Sequence, residues 1–80
     1  MKIPRDLSGK KLIKILAKLG YEITRQTGSH IRLTTEQNGK HSLTIPNHNP
    51  MRIGTLNSIL KDVANHHAVT YEQLIELLFS

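Results

Sequence analysis

The stretch YEITRQTGSHIRLTTEQNGKHSLTIP, residues 21–46, switches its apolar spacing to a period of two, and that switch decides the fold. In "YEITRQ", Tyr21 and Ile23 fall on one side and Glu22 and Thr24 on the other. "HIRLTT" sets Ile31 and Leu33 against His30, Arg32 and Thr34, and "HSLTIP" sets Leu43 and Ile45 against Ser42 and Thr44. Thr27-Gly28 predicts a turn between the first two runs, and Asn38-Gly39 predicts a hairpin turn before the third. The reading is a three-stranded antiparallel meander with one apolar and one polar face. His30 falls on the polar face.

On both sides of this stretch the spacing is helical. "SGKKLIKILAKLG" opens with Ser8 as an N-cap, carries Leu12, Ile13, Ile15, Leu16 and Leu19 at helical intervals, and stops at Gly20. This predicts an amphipathic helix of about three turns with Lys10, Lys11, Lys14 and Lys18 solvated. "PNHNP", bracketed by Pro46 and Pro50, is a loop. "GTLNSILKDVANHH" places Leu56, Ile59, Leu60 and Val63 on one helical face and starts at Gly54 or Thr55. In "TYEQLIELLF", Thr70 stands three residues before Gln73, a capping-box spacing, and Leu74, Ile75, Leu77 and Leu78 form an apolar side. The helices can bury these faces only against the apolar side of the sheet. The expected fold is therefore a two-layer α+β domain over residues 1–80, α-β-β-β-α with an extra short C-terminal helix and a three-stranded antiparallel sheet.

Eleven Lys and Arg against six Asp and Glu give a net charge of +5 on 80 residues, which favours a polyanionic or acidic partner. The absence of Cys excludes disulfides and thiolate metal sites and fits a reducing compartment. The apolar runs are too short to span a bilayer, and "MKIPRDLSGKK" has no apolar targeting run, so the expected setting is the cytoplasm with no membrane partner. Tyr21, Tyr71 and Phe79 are the only aromatic residues, which disfavours an aromatic stacking platform for single strands.

The chemistry centres on "TGSHIRL". An imidazole, with an ordinary pKa of about 6.5, takes or gives a proton near neutrality. His30 shares its face with Arg32 and, near the strand end, Arg25. On RNA such a residue can remove the proton from a 2′-hydroxyl attacking its adjacent phosphate, while Arg32, Lys40 or Arg52 holds the developing charge. An exposed strand histidine taken alone is more often an ordinary surface residue. The carboxylates are scattered over different elements and suggest no metal-dependent nuclease. His66 and His67 end the second helix and complement its dipole, since adjacent helical residues do not share a face. No metal-ligand spacing is present among the histidines. His48 sits in the proline-bracketed loop, and Gly54-Thr55 after Arg52 reads as an ordinary helix start in preference to a phosphate site.

Together, "SGKKLIKILAKLGYEITRQTGSHIRL", "HSLTIPNH" and "GTLNSILKDV" resemble the HicA toxin family of toxin-antitoxin systems. The recurring features are a Lys-rich first helix ending in Leu-Gly-Tyr, a Gly-Ser-His strand entry, an Ile-Pro-x-His strand exit and a Gly-Thr-Leu-x-x-Ile-Leu helix. The resemblance implies a fold similar to a double-stranded-RNA-binding domain and a metal-independent, ribosome-independent endoribonuclease without cofactors that cleaves mRNA to halt translation. It carries the family's functional histidine onto His30, with Gly28 and Ser29 positioning it. Arg25, Arg32, Lys40, His48, Arg52, Lys10 and Lys11 are then candidate RNA contacts. A HicB-type antitoxin would cover this face, and operator DNA would be reached only through that antitoxin. "HHAVTYEQLIELLFS" lies outside the recurring motifs. A non-catalytic module that holds structured RNA through phosphate contacts is the alternative reading. A DNA-binding regulator lacks a helix-turn-helix.

Overall fold

The computed structural model describes residues 6–79, so the first five residues of the stretch read above for targeting lie outside the described part. Helix α1, Gly9–Leu16, begins where Ser8 accepts a hydrogen bond from the Lys11 N–H at 3.2 Å, satisfying one of the free donors of the first turn. A 3₁₀ turn, Ala17–Leu19, tightens its end, and Gly20 stops it in the left-handed conformation. Strands β1 (Glu22–Thr27), β2 (His30–Thr35) and β3 (His41–Pro46) form an antiparallel sheet in the order β1-β2-β3. Helices α2 (Ile53–His66) and α3 (Tyr71–Phe79) follow. The order α-β-β-β-α-α and the single three-stranded sheet are those expected from the periodicity.

Leu12, Leu16, Leu33, Ile45, Leu60, Val63 and Leu74 are completely buried, joining α1, β2, β3, α2 and α3 in one core. Each such side chain contributes about 1.5–3 kcal/mol by leaving water. The one buried polar residue among those described, Thr35, is fully partnered: its hydroxyl donates to the Leu19 carbonyl at 2.8 Å and accepts from the Gln37 N–H at 3.1 Å. Thr70 and Gln73 form the expected capping box, with reciprocal bonds of 2.9 and 3.0 Å.

Four details differ from the sequence reading. Ile23 lies opposite Leu33, hence on the inner face, yet it is 55% exposed. The helices pack on β3, and β1, bulged between Ile23 and Arg25, is the far edge of the sheet and stays uncovered. Leu77 is 51% exposed because α3 buries the arc through Leu74, Ile75 and Leu78. Lys18 is not simply solvated: its ammonium donates to the Leu78 carbonyl at 3.1 Å, complementing the C-terminal end of α3. Finally, α2 starts at Ile53, with Arg52 in the cap position and no side-chain cap, so Gly54 and Thr55 lie inside the first turn.

A set of backbone bonds ties the β3 exit to the rest. Asn47 N–H donates to the Ser29 carbonyl at 2.7 Å, Gly9 N–H to the His48 carbonyl at 2.9 Å, and Met51 N–H to the Leu7 carbonyl at 2.9 Å. Gly9 allows this approach, since a Cβ there would collide with the Pro46 carbonyl oxygen. Gly54, also in a first helical turn, has open space around the same position. Opposite signs are therefore expected for one substitution in urea unfolding. Gly54→Ala stabilises by about 0.4–1 kcal/mol through the unfolded chain, whereas Gly9→Ala destabilises by about 1–3 kcal/mol through overpacking.

Candidate functional site

The first hairpin turn is built by Gly28 and Ser29, with Thr27 and His30 paired across it. Gly28 has φ +58°, and among the two turn residues only it is left-handed, the pattern of a type II′ turn with glycine first. The Ser29 carbonyl is then held by Asn47 N–H, so the turn is fixed from β3 as well as from its own strands. His30, the first residue of β2, lies opposite Pro46 on β3 and is exposed. Its face is the open one: Arg32 and Thr34 follow along β2, opposite Thr44 and Ser42.

Arg25 stands directly opposite Arg32. Like charges at directly opposed strand positions repel, an arrangement that a bound anion relieves. Arg25, Arg32 and Lys40 line one shallow basin of about 340 Å³, together with Thr24, Thr34, Ser42 and one acid, Glu36. Its floor is a ladder of hydroxyls, Thr24 to Thr34 at 3.0 Å and Thr34 to Ser42 at 2.9 Å. Lys40 belongs to the far end: it precedes His41, which pairs with Thr35, roughly 17 Å along β2 from His30. It is therefore far from the His30 end, unlike Arg32, which is one pleat from His30 on the same face.

The proline-bracketed loop brings His48 to the His30 end, because Asn47 is bonded to Ser29 and the His48 carbonyl to Gly9. Both imidazoles are exposed. Arg52, the exposed cap position of α2, closes the same loop. Lys10 and Lys11 start α1 nearby; Lys10 borders the inner side of β1, not the open face.

The family model for the HicA toxin of bacterial toxin-antitoxin matches residues 9–64, from the first residue of α1 almost to the end of α2. The chain belongs to the HicA toxin family. Every candidate site residue named from the sequence lies within the matched stretch. No curated protein and no solved structure matches the chain. No helix among the described residues is long and apolar enough to cross a membrane, and no group of three or more of their histidines and carboxylates is arranged to hold a metal ion.

At the opposite end of the sheet this HicA-family chain carries a second polar cluster that the sequence did not reveal. The Asp62 carboxylate lies 3.3 Å from His41 Nε2, so that nitrogen bears a proton, and His41 Nδ1 shares a hydrogen bond with the Tyr21 hydroxyl at 2.7 Å. The same hydroxyl is hydrogen-bonded to His67 Nε2 at 3.2 Å. His66 stacks on His41 with ring centroids 4.3 Å apart, and its Nε2–H reaches the Gln37 and Gly39 carbonyls at 3.1 and 3.0 Å. The cluster clips α2 to the second hairpin turn, and Asn38 adds a bond to the His66 carbonyl at 2.9 Å. His66 and His67 are thus more than a dipole-matched helix end. No periodicity signals them, because the partners come from three separate stretches of the chain, residue 21, residues 37–41 and residues 62–67.

Tyr21 is almost completely enclosed, and burial, reinforced by Asp62, pushes its pKa up to about 12. Burial, with His66 and His41 beside it, lowers the pKa of His67 from 6.5. The unfolded chain therefore takes up the His67 proton first on acidification: its stabilisation is full above pH 6.5 and is lost as pH falls through the lower folded value. Tyr21 behaves oppositely, stabilising below pH 10.0 and ceasing to do so as pH rises through about 12. Tyr71, raised by burial, adds to the same alkaline trend. Urea midpoints measured from pH 4 to 12 are expected to fall at both ends. His67→Gln should flatten the acid limb and Tyr21→Phe reduce the alkaline one, the latter costing about 1–3 kcal/mol at neutral pH by leaving His41 Nδ1 unpartnered.

Proposed function

We propose that this chain is an endoribonuclease that cleaves mRNA without a metal ion and so halts translation in the cytoplasm, with His30 as its catalytic residue and a HicB-type antitoxin as its inhibitor. The observation that carries this reading is the exposed His30 at the stapled end of an open face on which Arg25 and Arg32 oppose each other. Membership of the HicA toxin family supports it. Operator DNA enters only through the antitoxin.

In this reading the RNA backbone follows the basin along β2, its phosphates met by Arg25 and Arg32 and, farther on, Lys40. Gly28 and Ser29 hold the strand entry so that His30 faces the backbone. His30 removes the 2′-hydroxyl proton, the 2′-oxygen bonds to the adjacent phosphorus, and the bond from phosphorus to the 5′-oxygen of the next nucleotide breaks. That oxygen leaves with a proton drawn from His48 or water. The products are a 2′,3′-cyclic phosphate and a 5′-hydroxyl. Arg32, one pleat from His30 on the same face, and Arg52 offset the charge that builds on the phosphate.

The test compares wild type and His30→Ala, both shown to be folded, on one end-labelled mRNA with excess EDTA. Wild type is expected to cut and leave a 2′,3′-cyclic phosphate, and His30→Ala to cut at least about 100-fold more slowly. Equal cleavage by both would remove His30 from the reaction. Binding without cleavage by either would favour the non-catalytic RNA-binding module, whose affinity would fall steeply with salt.

A further inference from the structure

The inner face of β1 is the part of the sheet that the helices do not cover. There Ile23, Gln26 and Ile31 form one wall and Ile13 of α1 the other, enclosing an open cleft of about 470 Å³ rimmed by Lys10, Lys14 and Asn47. No carboxylate of the described residues lines it. Ile23, 55% exposed, is one of three large apolar side chains this open to solvent among the described residues, and it has the register of a core residue. β1 is also an edge strand, so among the described residues its outward N–H and C=O groups have no neighbouring strand.

Three kinds of complementarity therefore coincide: an aliphatic pocket, a basic rim and an unpaired strand edge. We infer that this cleft is a docking surface for an extended acidic segment of a protein partner, which adds beside β1, inserts an apolar side chain against Ile13 and Ile23, and places carboxylates on Lys10 and Lys14. Among the described residues the cleft has no aromatic or arginine face on which a nucleobase would stack, so RNA is the poorer occupant. Membership of a toxin-antitoxin family makes an antitoxin the protein partner, and the inference rests on the reading that an antitoxin binds this chain. It adds the location of the grip. The cleft lies on the face of the β1–β2 hairpin away from His30, so a partner anchored there reaches the His30 face over the β1 edge, and Lys10, read above as an RNA contact, belongs to this grip instead.

The experiment uses the full-length chain and the co-expressed HicB-type antitoxin, measuring the complex by titration calorimetry and RNA cleavage by the free toxin. Ile23→Glu is the main variant, since Ile23 is exposed enough for the fold to survive, and circular dichroism verifies this. It is expected to weaken the complex at least about 30-fold, as loss of an interface anchor does, while the free variant cleaves RNA as wild type does. Lys14→Glu should weaken the complex more at low salt than at high salt. His30→Ala should bind the antitoxin within about threefold of wild type, as a residue outside the anchor set does. Unchanged antitoxin affinity in Ile23→Glu overturns the docking surface. Loss of RNA cleavage with antitoxin affinity retained would assign the cleft to RNA instead. Failure of wild type to bind the antitoxin would overturn the partner reading and this inference together, whereas failure to cleave RNA would overturn the nuclease reading alone.

Discussion

The bond from Asn47 N–H to the Ser29 carbonyl, 2.7 Å long, is the constraint on which the functional end of this molecule depends. A two-residue turn and a proline-bracketed loop would otherwise be two independently moving tips. Joined by this bond, and with Gly9 bonded to the His48 carbonyl, they form one surface with the start of α1. The close contact of Gly9 with Pro46 explains why a residue without a side chain stands at the head of a helix that otherwise contains good helix formers. His30, His48 and Arg52 are carried on segments joined by these backbone bonds and by the buried Leu7 and Met51 beside them.

The periodicity in residues 21–46 was sufficient to read three strands, their turns and the face of His30, because strand side chains alternate regardless of what covers them. Ser8 and the Thr70–Gln73 pair marked helix starts for an equally local reason, namely side chains that satisfy their own first-turn N–H groups. What the sequence could not show is coverage. Ile23 has the correct face and the wrong environment, because the helices pack on β3 and leave the edge strand open. Long-range polar pairing was equally invisible. Tyr21, His41, Asp62 and His67 each look ordinary in place and acquire meaning only when the fold collects them. The position of Lys40, far along β2 from His30, likewise required the strand register.

The resulting chain divides its work by position. The open face of the sheet carries cations and hydroxyls along a basin, with the exposed His30 at the strand end beyond it. The inner face of β1 offers aliphatic side chains with a lysine rim. At the far end, an imidazole and tyrosine network holds α2 to the sheet in a form that opposes protonation of His67. Opposed arginines at Arg25 and Arg32 are a local cost that makes sense on a surface meant for a polyanion, and in the family of HicA toxins RNA is the polyanion proposed.

The most direct test of where RNA is handled is a backbone-amide NMR map of the chain titrated with a short mRNA segment carrying 2′-deoxy sugars, so that it binds without being cut. The account predicts perturbations centred on Gly28, Ser29, His30, Arg32 and Asn47 and extending along the basin to Lys40. Perturbations confined to the inner cleft around Ile13 and Ile23, with the Gly28 to His30 amides unmoved, would contradict it.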